Sequence, residues 1–127
     1  YQIACALLVP LIEENWAHKP EGKMILKKYL RPLKMKQIDT LILGCTHYPA
    51  LIKDIVKIMG KNVNIINPAI VVAEKLKDYL ERHAEIEKKL SKNGKLVFYT
   101  TDDAAKFKEM GRKFLGREIS EVEKAEL

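Results

Sequence analysis

The chain is 127 residues long, room for one compact domain or a large piece of a two-domain protein but not for two ordinary domains. With 47% hydrophobic and 31% charged residues and a mean hydropathy of -0.19, it can bury a core and is neither disordered nor membrane-embedded in composition. The formal charge of +6 is local: Lys19 to Lys36 holds seven bases against Glu21 alone, and the rest of the chain balances at 16 bases and 16 acids. The pI of 9.3 therefore describes one stretch, which disfavours a general nucleic-acid-binding role.

The chain opens at Tyr1 on the apolar run Ile3 to Ile12. That run has no basic flank and is far shorter than the roughly 20 residues of a membrane span. It reads as core, with the true N-terminus expected upstream. Two cysteines, Cys5 and Cys45, occur without a C-x-x-C pair or a secretory signal, so a reducing cytoplasm is the expected compartment.

Short β-like runs alternate with amphipathic segments, the pattern of a parallel sheet with crossover helices. Strands are predicted at Tyr1 to Cys5, Thr40 to Leu43, Val63 to Ile66, Leu96 to Thr100 and, more weakly patterned, Ile119 to Val122. The first predicted helix is Gly22 to Leu33, where Ile25, Leu26, Tyr29, Leu30 and Leu33 recur at helical spacing and Lys23, Lys27 and Arg31 step along the opposite face. Pro32 should end or kink it. A second helix, Pro49 to Met59, stops at Gly60; a third, about Ala69 to Leu90, stops at Ser91-Lys92-Asn93-Gly94; a fourth, Asp103 to Leu115, has Asp102 as its expected N-cap and Gly116 as its stop.

The residues that carry chemistry cluster at Leu41-Ile42-Leu43-Gly44-Cys45-Thr46-His47-Tyr48-Pro49. Leu41 to Leu43 lack alternation, as expected of a strand covered on both faces. Gly44 permits a tight turn and Pro49 suits a first helical turn. Cys45, Thr46 and His47 are thus expected at the carboxyl end of a strand, the edge where open α/β sheets bind ligands. Unpaired N–H groups at a helix start attract a carboxylate and favour a thiolate at Cys45. Thr46 adds a hydroxyl for the same anion, and His47 can hold or relay a proton beside the sulfur. The plainer alternative makes Cys45 a small buried residue and Thr46 a helix cap.

Over essentially its whole length the sequence resembles the cofactor-independent glutamate racemases of the aspartate/glutamate racemase superfamily. Gly44-Cys45-Thr46-His47-Tyr48-Pro49 is similar to the second catalytic-cysteine motif of that family, and aspartate racemases usually carry Glu at the position of His47. Ala4 to Glu13 is similar to the segment that leads to an active-site glutamate, although Ala6 stands where the family has Pro. Ile65-Ile66-Asn67-Pro68-Ala69, Phe98-Tyr99-Thr100-Thr101-Asp102 and Ile119-Ser120-Glu121-Val122-Glu123 resemble later landmarks in order. The resemblance implies an α/β fold, a doubly wound parallel sheet left incomplete because the N-terminal half is absent. Residues 1–73 would be the later part of one α/β domain and 74–127 the segment that returns to complete the other.

The implied reaction interconverts L- and D-glutamate by two cysteines, with no pyridoxal phosphate, metal or other cofactor, in the cytoplasm of a bacterium that needs D-glutamate for peptidoglycan and hence for cell-wall biogenesis and cell shape. Cys45 would be one catalytic thiol, Thr46 and His47 would bind substrate, His47 would also assist proton traffic, and Glu13 would support the site, with Glu14 as its neighbouring alternative. The family's first cysteine motif, Cys-Asn-Thr-Ala, and its Asp-Ser-Gly loop do not occur here. Cys5 does not match that cysteine and reads as a small apolar residue, so the isolated chain is expected to be inactive. The implied partners are glutamate and the missing N-terminal half; a homodimer is left open, a membrane is not expected and nucleic acid is disfavoured.

Other readings compete. A zinc site built from Cys45, His47 and His18 or His83 fits no standard spacing. His83 lies in a charged helix and is expected to be solvated. Trp16 and Tyr29 alone do not make a base-stacking platform, and Lys23, Lys27 and Arg31 read most simply as a solvated face. The alternatives to a glutamate racemase are a chain that, without its partner cysteine, serves only as a dicarboxylate- or partner-binding module, or a related aspartate racemase; a thiol-redox sensor at Cys45 would require rapid peroxide oxidation.

Overall fold

A computed structural model describes residues 1–126. They form two compact units, residues 1–84 and residues 85 onward. Each unit contains one parallel strand pair joined through a helix, and each is described by itself.

In the first unit the order is α1 (Leu8–Glu13), α2 (Pro20–Met35), β1 (Thr40–Ile42), a 3-10 turn (Tyr48–Leu51), α3 (Ile52–Met59), β2 (Asn64–Ile66) and α4 (Pro68–Arg82). The strands pair in parallel with Thr40 opposite Asn64, Leu41 opposite Ile65 and Ile42 opposite Ile66. The apolar stripe of α2 supplies Leu26, Leu30 and Leu33 to the core, α3 supplies Ile55 and Met59, and Leu8, Ile12, Leu43 and Leu51 close it. Leu26 and Leu51 are each only 1% exposed, so each side chain contributes about 2 kcal/mol of burial. Gly22 is buried because α2 starts directly against the preceding loop: a Cβ there would meet the carbonyl oxygens of Trp16 and Ala17.

The structure corrects several sequence-based expectations in this unit. Tyr1 to Cys5 is not a strand; no ladder partner pairs with it among the described residues, and a strand without one gains no hydrogen bonds. The following apolar run instead forms α1, where Leu8 and Ile12, four residues apart, share the buried face. Helix α2 runs through Pro32 to Met35. Pro32 and Lys28 are both exposed, so the carbonyl that loses its helical donor to proline remains open to water. Leu43 is 3% exposed but Ile42 is 64% exposed, so β1 is covered on one face here rather than on both. Gly44 has an ordinary φ and nothing within 4 Å of a Cβ position; the turn does not require glycine.

Helix α4 has no buried residue. Ile70, Val72 and Leu76 are each more than half exposed. The expected helix to Leu90 breaks at His83, whose backbone leaves the helical region while its N–H caps the carbonyls of Tyr79 and Leu80. Its ring lies 4.2 Å from that of Tyr79, so His83 is a half-buried stacked side chain rather than a solvated one. A further short helix, α5 (Ala84–Glu87), lies at the division between the units. Glu74 lies within α4, which is continuous from Pro68 to Arg82.

The second unit contains β3 (Phe98–Thr100), α6 (Ala104–Leu115) and β4 (Val122–Lys124). The strands are parallel, with Phe98 opposite Val122 and Thr100 opposite Lys124. Ile119, expected to begin a strand, is instead the buried anchor that precedes β4, 2% exposed and set against Gly111 of α6. The N-cap of α6 is Asp103 rather than Asp102: its carboxylate accepts from the N–H groups of Ala105 and Lys106 at 2.7 and 3.2 Å. Gly116 ends the helix in the left-handed region, φ 65°, as expected of a C-terminal glycine.

Candidate active site

Backbone geometry brings the chemical residues to one end of β1. The strand ends at Ile42, and the chain turns so that the N–H of Tyr48 donates to the carbonyl of Cys45 at 3.3 Å. Pro49 lies in the first turn of the 3-10 segment that leads into α3. Cys45 and His47 are half-buried and Thr46 is exposed. The helix start at the site is thus a four-residue 3-10 turn, whose few aligned peptides give a weaker field than a full α-helix. No side-chain cap forms there, so Thr46 is not a helix cap.

Three side chains form a chain of contacts. The Cys45 sulfur lies 3.9 Å from Nδ1 of His47, and Nε2 of His47 lies 3.3 Å from a carboxylate oxygen of Glu13. Glu13 reaches this position because Ile12, its neighbour on α1, is pinned in the core at 9% exposure. Glu14 points elsewhere, to a shallow apolar depression with Leu7, Pro10, Leu11, Trp16 and Ile25. The arrangement is that of a thiol, a base and a group that orients the base. With Nε2–H donated to Glu13, Nδ1 is the acceptor facing the thiol, and the carboxylate stabilises the imidazolium that forms when the thiol proton moves to it.

Cys5 lies in a different setting. It is half-buried, and its thiol donates to the carbonyl of Ile3 at 3.7 Å. Burial pushes its pKa up, opposed by a hydrogen bond from the hydroxyl of Tyr48. Tyr48 is itself pushed above the ordinary phenol range, chiefly by burial and then by the nearby thiols of Cys5 and Cys45. The sequence reading missed this role of Tyr48 as the side chain that faces both cysteines. Its place three residues after Cys45 is the available signal, because one tight turn returns position i+3 to the side of position i.

The remaining candidates do not join the site. His18 pairs with Asp54 at 3.1 Å, and His83 stacks on Tyr79. Among the described residues no group of three or more His, Cys, Asp or Glu is gathered as metal ligands. No helix among them is long and apolar enough to cross a membrane. Tyr29 accepts from the N–H of Leu7 at 3.3 Å, which ties α2 to the loop before α1.

No family model matches the chain. Individual proteins do. A glutamate racemase of Syntrophus aciditrophicus is 37% identical over 125 residues, covering 98% of this chain and 46% of that protein. The crystal structure of a glutamate racemase isoform from Bacillus anthracis superposes with a TM-score of 0.84 at 35% identity, over 98% of this chain and 46% of that one. That of Francisella tularensis glutamate racemase in complex with D-glutamate gives 0.80 at 34% identity, over 99% and 46%. The chain spans about half the length of the relatives it matches, and over that span it is similar in sequence and fold to glutamate racemases.

Proposed function

We propose that the protein to which this chain belongs interconverts L- and D-glutamate by proton transfer at the α-carbon, with Cys45 as one of two catalytic thiols. The observation that carries the reading is the contact series Cys45, His47, Glu13 at the end of β1. His47 holds the proton that Cys45 must lose to become a base, and Glu13 orients the ring. The Cys45 thiolate then removes the α-proton of L-glutamate to leave a planar carbanion, and a second thiol delivers a proton to the opposite face. Run backwards, Cys45 is the acid. No cofactor is required by this scheme, because the two acid–base groups account for every proton that moves.

Thr46, exposed beside Cys45, and His47 bind the substrate. The second thiol and the rest of the substrate pocket belong to the N-terminal half of the protein, with residues 1–73 completing one α/β domain and 74–127 returning to the other. The product D-glutamate serves peptidoglycan synthesis in the cytoplasm.

Replacement of Cys45 by alanine in the intact protein tests the proposal. Racemisation should fall by at least roughly a thousandfold in both directions, the scale of a lost acid–base group that nothing replaces. Retention of racemisation in both directions by Cys45→Ala, measured by circular dichroism of glutamate, overturns the assignment.

A further inference from the structure

Much of the charge excess of the chain lies on a concave surface. A groove of about 940 Å³ runs between α2 and α3, and six cations line it: Lys23, Lys27, Lys28, Arg31, Lys34 and Lys57. Its single carboxylate, Asp54, is already engaged by His18 at 3.1 Å and by Lys23 at 4.0 Å. Lys34 donates across the groove to the carbonyl of Ile58 at 2.6 Å, which fixes the spacing of the two helices. Lys27, Lys28, Arg31 and Lys57 have no acidic partner among the described residues.

A solvated face, the reading the helical spacing favoured, does not account for the apolar part of this surface. Met24 and Met35 line the same groove and are 65% and 73% exposed, with Pro32 and Ile58 beside them. Methionine is flexible and polarizable, and it suits a surface that must adapt to another apolar face. Met24 and Met35 are about 16 Å apart along α2, the length of about three helical turns. No aromatic side chain lines the groove, so it offers a single-stranded nucleic acid nothing to stack on, and its methionines give no advantage in binding phosphates.

We propose that the α2–α3 groove is a docking site for an acidic amphipathic helix of a partner protein. The partner's apolar face lies on Met24, Pro32, Met35 and Ile58, and its carboxylates meet Lys27, Lys28, Arg31 and Lys57. This is the helix-in-groove mode of recognition, with charge complementarity setting orientation.

The test uses the intact protein and a fluorescent peptide of about 14 residues, patterned with Leu on one helical face and Glu on the other. Fluorescence anisotropy should show binding in the micromolar range, at least roughly tenfold tighter than a scrambled peptide of the same composition. The triple variant Lys27→Glu, Lys28→Glu, Arg31→Glu should lose at least roughly tenfold in affinity. Met24→Gln with Met35→Gln, which leaves the charge alone, should lose several-fold while far-ultraviolet circular dichroism stays unchanged. Should the triple charge reversal fail to fold, Lys27→Gln with Lys28→Gln carries the charge arm. Equal binding of patterned and scrambled peptides, tighter binding of a single-stranded oligonucleotide, indifference to the methionine pair, or no binding of the patterned peptide each overturns the proposal.

Discussion

His47 is held from two sides, by the Cys45 sulfur at Nδ1 and by the Glu13 carboxylate at Nε2. The consequence is a difference between two adjacent acids that the sequence leaves nearly equivalent. Glu13→Gln in the intact protein replaces the carboxylate that holds the His47 ring at Nε2, so kcat should fall by roughly tenfold to a hundredfold. Glu14→Gln, on a side chain that faces an apolar depression away from the site, should leave kcat unchanged. Measuring kcat for the two variants checks the difference, and equal effects would count against the orienting role of Glu13. Cys5 is the opposite case: burial holds it as a thiol, which makes it a poor base at neutral pH.

Two elements are controlled by single residues whose roles the structure makes specific. Helix α6 is capped by Asp103, which satisfies two N–H groups at the helix start. Asp103→Ala should therefore cost about 1 kcal/mol, and Asp102→Ala, which removes no cap, should stay within about 0.5 kcal/mol. Amide hydrogen exchange in the first turn of α6 distinguishes them. The start of α2 depends on Gly22, where any Cβ collides with backbone carbonyls rather than with a movable side chain. Gly22→Ala should cost about 2 kcal/mol or more, read as a lower denaturant midpoint. A neutral result would mean that the loop from Trp16 to Lys19 shifts freely.

At the scale of the whole molecule, two βαβ-like pieces, β1–α3–β2 and β3–α6–β4, each pair their strands in parallel. The 127 residues hold only two cysteines, and of these Cys5 is tied to Ile3 and Tyr48. The two-thiol proton transfer proposed above therefore needs a second thiol from outside these residues. The 127-residue chain alone should show no racemisation above the rate without protein, and turnover by the purified chain would mean that Cys5 or another group supplies the opposite proton.

The helices α2, α3 and α6, the parallel strand pairs and the cluster at Cys45 to Pro49 were legible in the sequence. Local spacing encodes them: an apolar stripe at three- and four-residue steps, a proline in a first turn and a glycine at a helix end each act within a few residues. The irregular Tyr1 to Cys5 segment, the exposure of Ile42 and the helix break at His83 were not legible, because each depends on which neighbour arrives to pair or pack. Glu13 shows the division most plainly. Its sequence context marked it, with Glu14, as a candidate, but only the packing of Ile12 and Leu8 turns one of the two carboxylates toward His47. The charge count follows the same rule: sequence located the +6 on Lys19 to Lys36, and tertiary structure decided that much of it lines a groove with exposed methionines. A groove between two helices is a property of their contact, which neither helix encodes alone.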